Sequence, residues 1–163
     1  MTNRVNELST LLFKERECLE LLHFKLEEQN LLLIAGKTQW LSAATREIEH
    51  VLERMHHTSL ERTLVAREVA ESWGGDPDSS LSELAALAPV GPWGEILTSH
   101  LTAIHEYTNV IAATRDANEQ FLRAAQRSAQ ETLANLGDSA STYGRSGAAD
   151  VPGTDARILD TNV

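Results

Sequence analysis

The chain is short of several things that other folds and functions depend on. Cys18 is its only cysteine, so no internal disulfide can form, which fits a reducing compartment. It has four prolines and nine glycines, and most of them fall in two stretches, 74–94 and 137–153. Long uninterrupted helices are therefore possible everywhere else. Aromatic residues are only 5% of the chain, so Leu, Ala and Val must form the core. That composition suits helices that meet along narrow seams. Basic residues number 14 against 24 acidic ones, a formal net charge of −10, which argues against nucleic acid as a partner. The same charge argues against an anionic membrane surface. The longest apolar run, Leu31-Leu32-Leu33-Ile34-Ala35, is far short of the roughly 20 residues that span a bilayer. The N-terminus, Met1 to Glu7, is charged where a signal peptide needs an apolar run. These absences predict a soluble cytoplasmic protein with no membrane insertion.

Apolar periodicity dominates what is present. Residues 4–35 lack Pro and Gly, and Val5, Leu12, Leu19, Leu26 and Leu33 recur seven apart. Leu8 and Leu22 occupy the second seam position, which Glu15 and Gln29 complete. This is a heptad stripe, and Leu11, Cys18, Leu21, Phe24, Leu31 and Leu32 widen it so that the helix can touch more than one neighbour. Gly36 interrupts the pattern. A second helix is predicted at 38–72, with the stripe Leu41, Ala44, Ile48, Val51, Met55, Thr58, Arg62, Val65 and Val69. So short a connection makes the two helices an antiparallel hairpin. Thr58 and Arg62 weaken the seam past Met55, which predicts a looser far half.

Trp73-Gly74-Gly75-Asp76-Pro77 reads as a helix end, and Ser80-x-x-Glu83 as a capping box opening a short helix at 81–87. Pro92 suits the first turn of a last helix at 92–136. Its apolar positions are Ile96, Leu97, Leu101, Ile104 and Ile111, then a polar interval from Thr114 to Gln120. A second apolar stretch follows: Phe121, Leu122, Ala125, Ala129, Leu133 and Leu136. Those six residues are the candidate partner-binding face, because alanines let another helix approach closely. Residues 137–163, rich in Ser, Gly, Ala and Asp, are expected to be a disordered tail after a stop at Gly137. Two islands stand out in it, Thr142-Tyr143-Gly144 and Ile158-Leu159. Residues 74–163 carry 12 acidic and 5 basic residues, hence −7 of the −10, so a partner of this part is neutral or basic. The expected fold class is all-α: a long hairpin, a third long helix and a flexible tail.

Chemistry is harder to find. No strand pattern or Gly-rich phosphate loop is present. His56 and His57 are adjacent and so face roughly 100° apart on a helix. His100 and His105 are five apart, a poor ligand spacing. Glu47-x-x-His50 and Glu53-x-x-His56 match half of a di-iron pattern, but both lie on one helix. Cys18 sits inside the apolar stripe, where an inert thiol is the plainer reading. Trp40 and Trp93, near the hairpin ends, read as packing residues. No cofactor, metal or catalytic residue is predicted, and the chain is not expected to be an enzyme.

The order of these features resembles the FlgN-type flagellar export chaperones. The resemblance is carried by Leu19-Glu20-Leu21-Leu22 through Leu26-Glu27-Glu28-Gln29-Asn30-Leu31-Leu32-Leu33, and by the break at Gly36. A second helix with Glu47, Glu49, Glu53 and Arg62 follows, ending at Ser72-Trp73-Gly74, then a third helix with Asn109 and Asn118 and the ending Thr142-Tyr143-Gly144-Arg145-Ser146-Gly147. The resemblance implies binding of the C-terminal helices of the hook–filament junction proteins FlgK and FlgL. It also implies delivery of these clients to the export gate, whose platform is FlhA, with Tyr143 as the gate contact. A coiled-coil adaptor or homo-oligomerisation module fits the heptads equally well. A helical-bundle enzyme or metal carrier is the third reading.

Overall fold

The computed structural model describes the backbone of residues 2–146 and the side chains of residues 3–138. It is all-α: α1 (Thr2–Ile34), a 3₁₀ turn (Thr38–Trp40), α2 (Leu41–Ser72), α3 (Leu81–Leu87) and α4 (Trp93–Ser146). No strand occurs among the described residues. The chain divides into two units, Met1–Arg123 and Ala124–Val163, and α4 contributes to both.

Two glycines end the hairpin helices. Gly36 and Gly74 take φ of 65° and 77°, a region that costs glycine little. At the first, Lys37 N–H donates to Leu32 C=O (2.9 Å) and Gly36 N–H to Leu33 C=O (3.1 Å). At the second, Gly75 N–H donates to Ala70 C=O (2.9 Å) and Gly74 N–H to Glu71 C=O (3.1 Å). Both are Schellman caps, which satisfy the last carbonyls and reverse the chain. The capping box of α3 is complete: Glu83 N–H donates to Ser80 Oγ (3.2 Å), and Ser80 N–H to Glu83 Oε2 (2.7 Å). These bonds hold the Glu83 carboxyl below its ordinary pKa.

In the first unit α1 is the shared element. Its seam residues Val5, Leu8, Leu12, Leu19, Leu22, Leu26 and Gln29 are all buried, with Leu8 and Leu12 at 0% exposure. Leu11 and Cys18 are buried beside them, whereas Phe24 and Leu31 face solvent and add nothing to the stripe. The pairs Arg4–Glu68, Glu15–Arg62 and Lys25–Glu47 show α2 running antiparallel to α1. On another side, Ser9 meets His100 and Asn30 meets Asn118, so α4 runs parallel to α1.

The core forms two clusters. Val5, Leu8, Leu11 and Leu12 pack with Val65, Val69, Ala70, Leu84 and Leu97 at the end that α3 closes. Leu22 and Leu26 pack with Ile48 and Val51 nearer the hairpin turn. The far half of α2 is therefore well covered, contrary to the expectation raised by Thr58 and Arg62. Leu84 of α3 and Leu97 of α4 supply the cover that a two-helix seam would lack. Trp40 is 58% exposed rather than packed, because the 3₁₀ turn sets it at the outer edge of the hairpin. Trp93 does pack on the first cluster.

Two further expectations need revision. The three residues that open the second helix form the 3₁₀ turn, and α2 starts at Leu41. Gly137 does not end the last helix, which continues to Ser146. One interior glycine costs only about 1 kcal/mol relative to alanine. Gly36 and Gly74 stop helices because an apolar segment follows that must fold back, and nothing comparable follows Gly137. Residues 147–163, with Ile158 and Leu159, lie outside the described residues.

Between the two clusters lies a polar layer. Arg62 Nε and Glu15 Oε2, both at seam positions, are 2.8 Å apart, and their side chains are 25% and 13% exposed. Neither of these two atoms makes a hydrogen bond to any described group. A few residues along, His100 is 7% exposed, with Nε2 3.1 Å from Ser9 Oγ and Nδ1 3.4 Å from an Arg16 nitrogen. Arginine only donates, so Nδ1 accepts and Nε2–H donates to Ser9. Burial, and secondarily the Arg16 charge, push the His100 pKa down, which keeps the ring neutral.

Two predictions follow from this layer. Glu15→Ala and Arg62→Ala should each destabilise by about 1–2 kcal/mol in urea, since each leaves a half-buried charge alone. The double variant Glu15→Leu/Arg62→Leu should be as stable as the parent or more so, because it joins the two clusters. For His100 the unfolded chain takes up a proton near pH 6.5 and the folded chain only below it. Stability from this group is full above that pH and declines by about 1.4 kcal/mol per pH unit as pH falls towards the folded pKa. Urea midpoints at about pH 7.5 and 5.5 should show the decline, and His100→Gln should flatten it.

Candidate functional site

Among the described residues no three His, Cys, Asp or Glu side chains are grouped so as to hold a metal ion. His50, His56, His57 and His105 are exposed, and Cys18 is buried at 4% exposure. Glu47 is bound to Lys25 at 2.8 Å, and Lys25 also reaches Glu28 at 2.8 Å. The Lys25 contacts tie α1 to α2 at the surface.

The polar interval at Thr114–Gln120 is where α4 is fastened to α1. Asn118 is 2% exposed. Its Nδ2 donates to Leu26 C=O (2.9 Å) and to Gln29 Oε1 (3.0 Å), and its Oδ1 accepts from Asn30 Nδ2 (2.8 Å). Gln29 in turn donates to Thr45 of α2 at 3.5 Å, and Thr114 donates to Glu27 at 3.2 Å. A buried amide with these partners is satisfied and fixes register, since a slip of α4 would strand it. Periodicity alone showed only that the stripe was interrupted there.

Past Asn118 no described residue of α4 is buried. In the first unit, Phe121 and Leu122 are 45% and 36% exposed. In the second, Leu133 and Leu136 are 69% and 62% exposed, and Ala125 and Ala129 are exposed between them. All six predicted face residues thus lie on α4 and are solvent-accessible. From Leu122 onward their spacing of three and four keeps them to one side of a helix, and Phe121 flanks that side. Tyr143 lies within α4 rather than in a tail, and its side chain is outside the described residues.

A second apolar feature was not anticipated. Within the first unit a groove of about 680 Å³ opens between α2 and α4, over α1. Leu19, Leu22, Leu52, Met55, Ile104 and Ile111 line it, with Glu15, His56 and Arg115 at its margin. It exists because Ser59 and Thr108, both small, stand where larger side chains would have closed the gap. Ser59, next to Thr58 where the α2 stripe is interrupted, is the lining residue that the sequence pattern came nearest to marking.

No helix among the described residues is long and apolar enough to cross a membrane. No curated protein and no solved structure matches the chain significantly. The family model described as FlgN protein matches residues 1–150, a span that takes in all four helices. An all-α bundle with exposed apolar residues along its last helix is the setting in which that match falls, and the chain belongs to the FlgN family of flagellar chaperones.

Proposed function

We propose that the chain is a cytoplasmic flagellar export chaperone for the hook–filament junction proteins of the FlgK and FlgL type. It binds their C-terminal helices, prevents premature assembly, and delivers them to the FlhA-type platform of the export gate. Family membership supports the class of function. The observation that carries the mechanism is the exposed face Phe121, Leu122, Ala125, Ala129, Leu133 and Leu136 on α4. A helix that presents anchors at three- and four-residue spacing recognises a second amphipathic helix along its length. The alanines permit close approach, and the leucines and Phe121 provide the apolar area. Tyr143 falls seven residues after Leu136, which is itself seven after Ala129 and fourteen after Leu122. A gate contact there would sit in the same heptad register as the client face.

The adaptor reading retains one point in its favour, since exposed heptad positions also serve oligomerisation. Client binding separates the two. Leu122→Asp/Leu133→Asp should weaken binding of a C-terminal FlgK fragment at least about 100-fold, because two leucines lose their burial. Leu52→Asp, which alters the groove instead, should leave that affinity within a few-fold. The reverse ranking would move the client to the groove, and no binding by the parent chain would favour the adaptor. Tyr143→Ala should leave client affinity unchanged and lower client export in a motility or secretion assay. Normal export by that variant would remove Tyr143 from the gate contact.

A further inference from the structure

We propose that a cleft beside the hairpin turn, between α1 and α2, binds a basic amphipathic helix of a second protein, with that helix's apolar side chains in the cleft and its cation at Glu28 and Glu47. The site goes beyond the client reading and shares no side chain with the α4 face, since no residue of α4 lines it.

The sequence around the turn makes the cleft. α1 ends at Ile34, and the 3₁₀ turn delays the start of α2 until Leu41. Large side chains would be needed to fill the gap between the parting helices, and the chain supplies Ala35, Ala43 and Ala44 there. A cleft of about 530 Å³ remains, with Leu31, Leu32 and Trp40 among its lining. Leu31 is 65% exposed, and Trp40 also faces solvent. On both helices the lining positions fall at i, i+3, i+4 and i+7, from Glu28 to Ala35 and from Trp40 to Glu47. Each row is two helical turns, about 10 Å, and seats a helix that presents side chains at the same steps.

The two rows run antiparallel, so the cleft has unlike ends. Ala35 and Trp40 lie at the turn, and Glu28 and Glu47 lie together at the other end, where Lys25 Nζ is 2.8 Å from each carboxylate. Lys25 is also 5.4 Å from the centre of the Phe24 ring. Two carboxylates thus share one ammonium that is already held in place, and no other charged side chain lines the cleft. That end keeps a net charge of −1. Its carboxylate side chains are 40% and 54% exposed, so water solvates the charge while the cleft is open. A helix seated over it removes that water, and an uncompensated charge taken out of water is costly. The occupant must therefore bring a cation to the Glu28–Glu47 end and apolar side chains one and two turns further on. Arginine fits best, because its planar fork can engage a carboxylate with two donors.

Two synthetic amphipathic helices serve as probes, identical except that one carries arginine and the other glutamine one turn before a leucine stripe. Each is titrated into the isotope-labelled full chain. The arginine probe should shift the Trp40 indole N–H and the Leu31 and Ala44 amides, and bind at least about tenfold tighter than the glutamine probe. Glu28→Gln/Glu47→Gln should abolish that preference and leave the glutamine probe within a few-fold. Lys25→Gln should strengthen the arginine probe a few-fold, the opposite of what damage to the hairpin would do. Leu122→Asp/Leu133→Asp should leave both probes unchanged. Equal affinity of the two probes, shifts confined to α4, or weaker arginine-probe binding by Lys25→Gln would each overturn the proposal. Trp40 shifts that grow with chain concentration in the absence of probe would make a second copy the occupant and overturn it too. A C-terminal FlgK fragment should bind Trp40→Ala as it binds the parent. If that variant loses the fragment and Leu122→Asp/Leu133→Asp does not, the cleft is the client site and both readings fall. If the arginine probe binds as expected and the fragment binds nowhere, the cleft stands and the client reading falls.

Discussion

The first unit depends on one surface, the face of α1 between Val5 and Gln29. α2 lies antiparallel on it and α4 parallel to it, so the same leucines must serve two neighbours. A strict heptad is wide enough for one partner. Leu11 and Cys18 extend it to a second, and both are buried. The seam is still narrow, and the core it organises is two clusters with polar contacts between them rather than one continuous apolar body. That division has a structural use. Apolar seams of Leu and Val tolerate sliding by a turn, because one leucine replaces another. Glu15 against Arg62, and Asn118 against Leu26, Gln29 and Asn30, do not tolerate it, because each polar group has its partner at one register only. Such groups give up some stability relative to apolar ones and specify pairing in return.

Asn118 also marks a boundary along α4. Before it, Leu97, His100 and Asn118 are buried; after it, the described side chains are all exposed. One helix therefore does two jobs with the same periodicity. Its first part completes the bundle, and its later part keeps an apolar face that the described residues leave uncovered. A face containing Leu133 and Leu136 at such exposure is unusual for a protein that acts alone and ordinary for one that acts by association.

Much of this was legible in the residues. The α1 stripe, both glycine breaks, the capping box at Ser80–Glu83 and the interruption at Thr114–Gln120 each rest on local rules with a period or a cap behind them. The helical period from Phe121 to Leu136 on α4 rests on the same kind of rule. What was not legible depends on partners distant in the chain. Arg62 read as a weak point in the α2 seam and Glu15 as a seam position of α1, and only the antiparallel register shows that the two meet at one level. The cover that Leu84 and Leu97 give the far half of α2 could not be read from α2 alone. The groove over Leu19 and Leu22 arises from small residues on two different helices. Gly137 misled because a glycine stops a helix when the following chain gains by turning back, and local sequence does not show that gain.

The continuity of α4 bears on how such a protein could capture another helix. An isolated segment the length of 121–136 would be marginally helical in water, because the first turn costs more than it returns. Here the helix is already under way at Trp93 and is held by Leu97, His100 and Asn118 before the exposed face begins. Nucleation has been met by packing in the first unit, and the later residues need only propagate. A helix docking there, as proposed, would meet a surface whose backbone is already ordered, so less ordering entropy would be set against the contacts it makes. The same continuity explains why alanine serves at Ala125 and Ala129. Propagation favours it most among all residues, and its small side chain would let the larger ones of a docked helix fill the space.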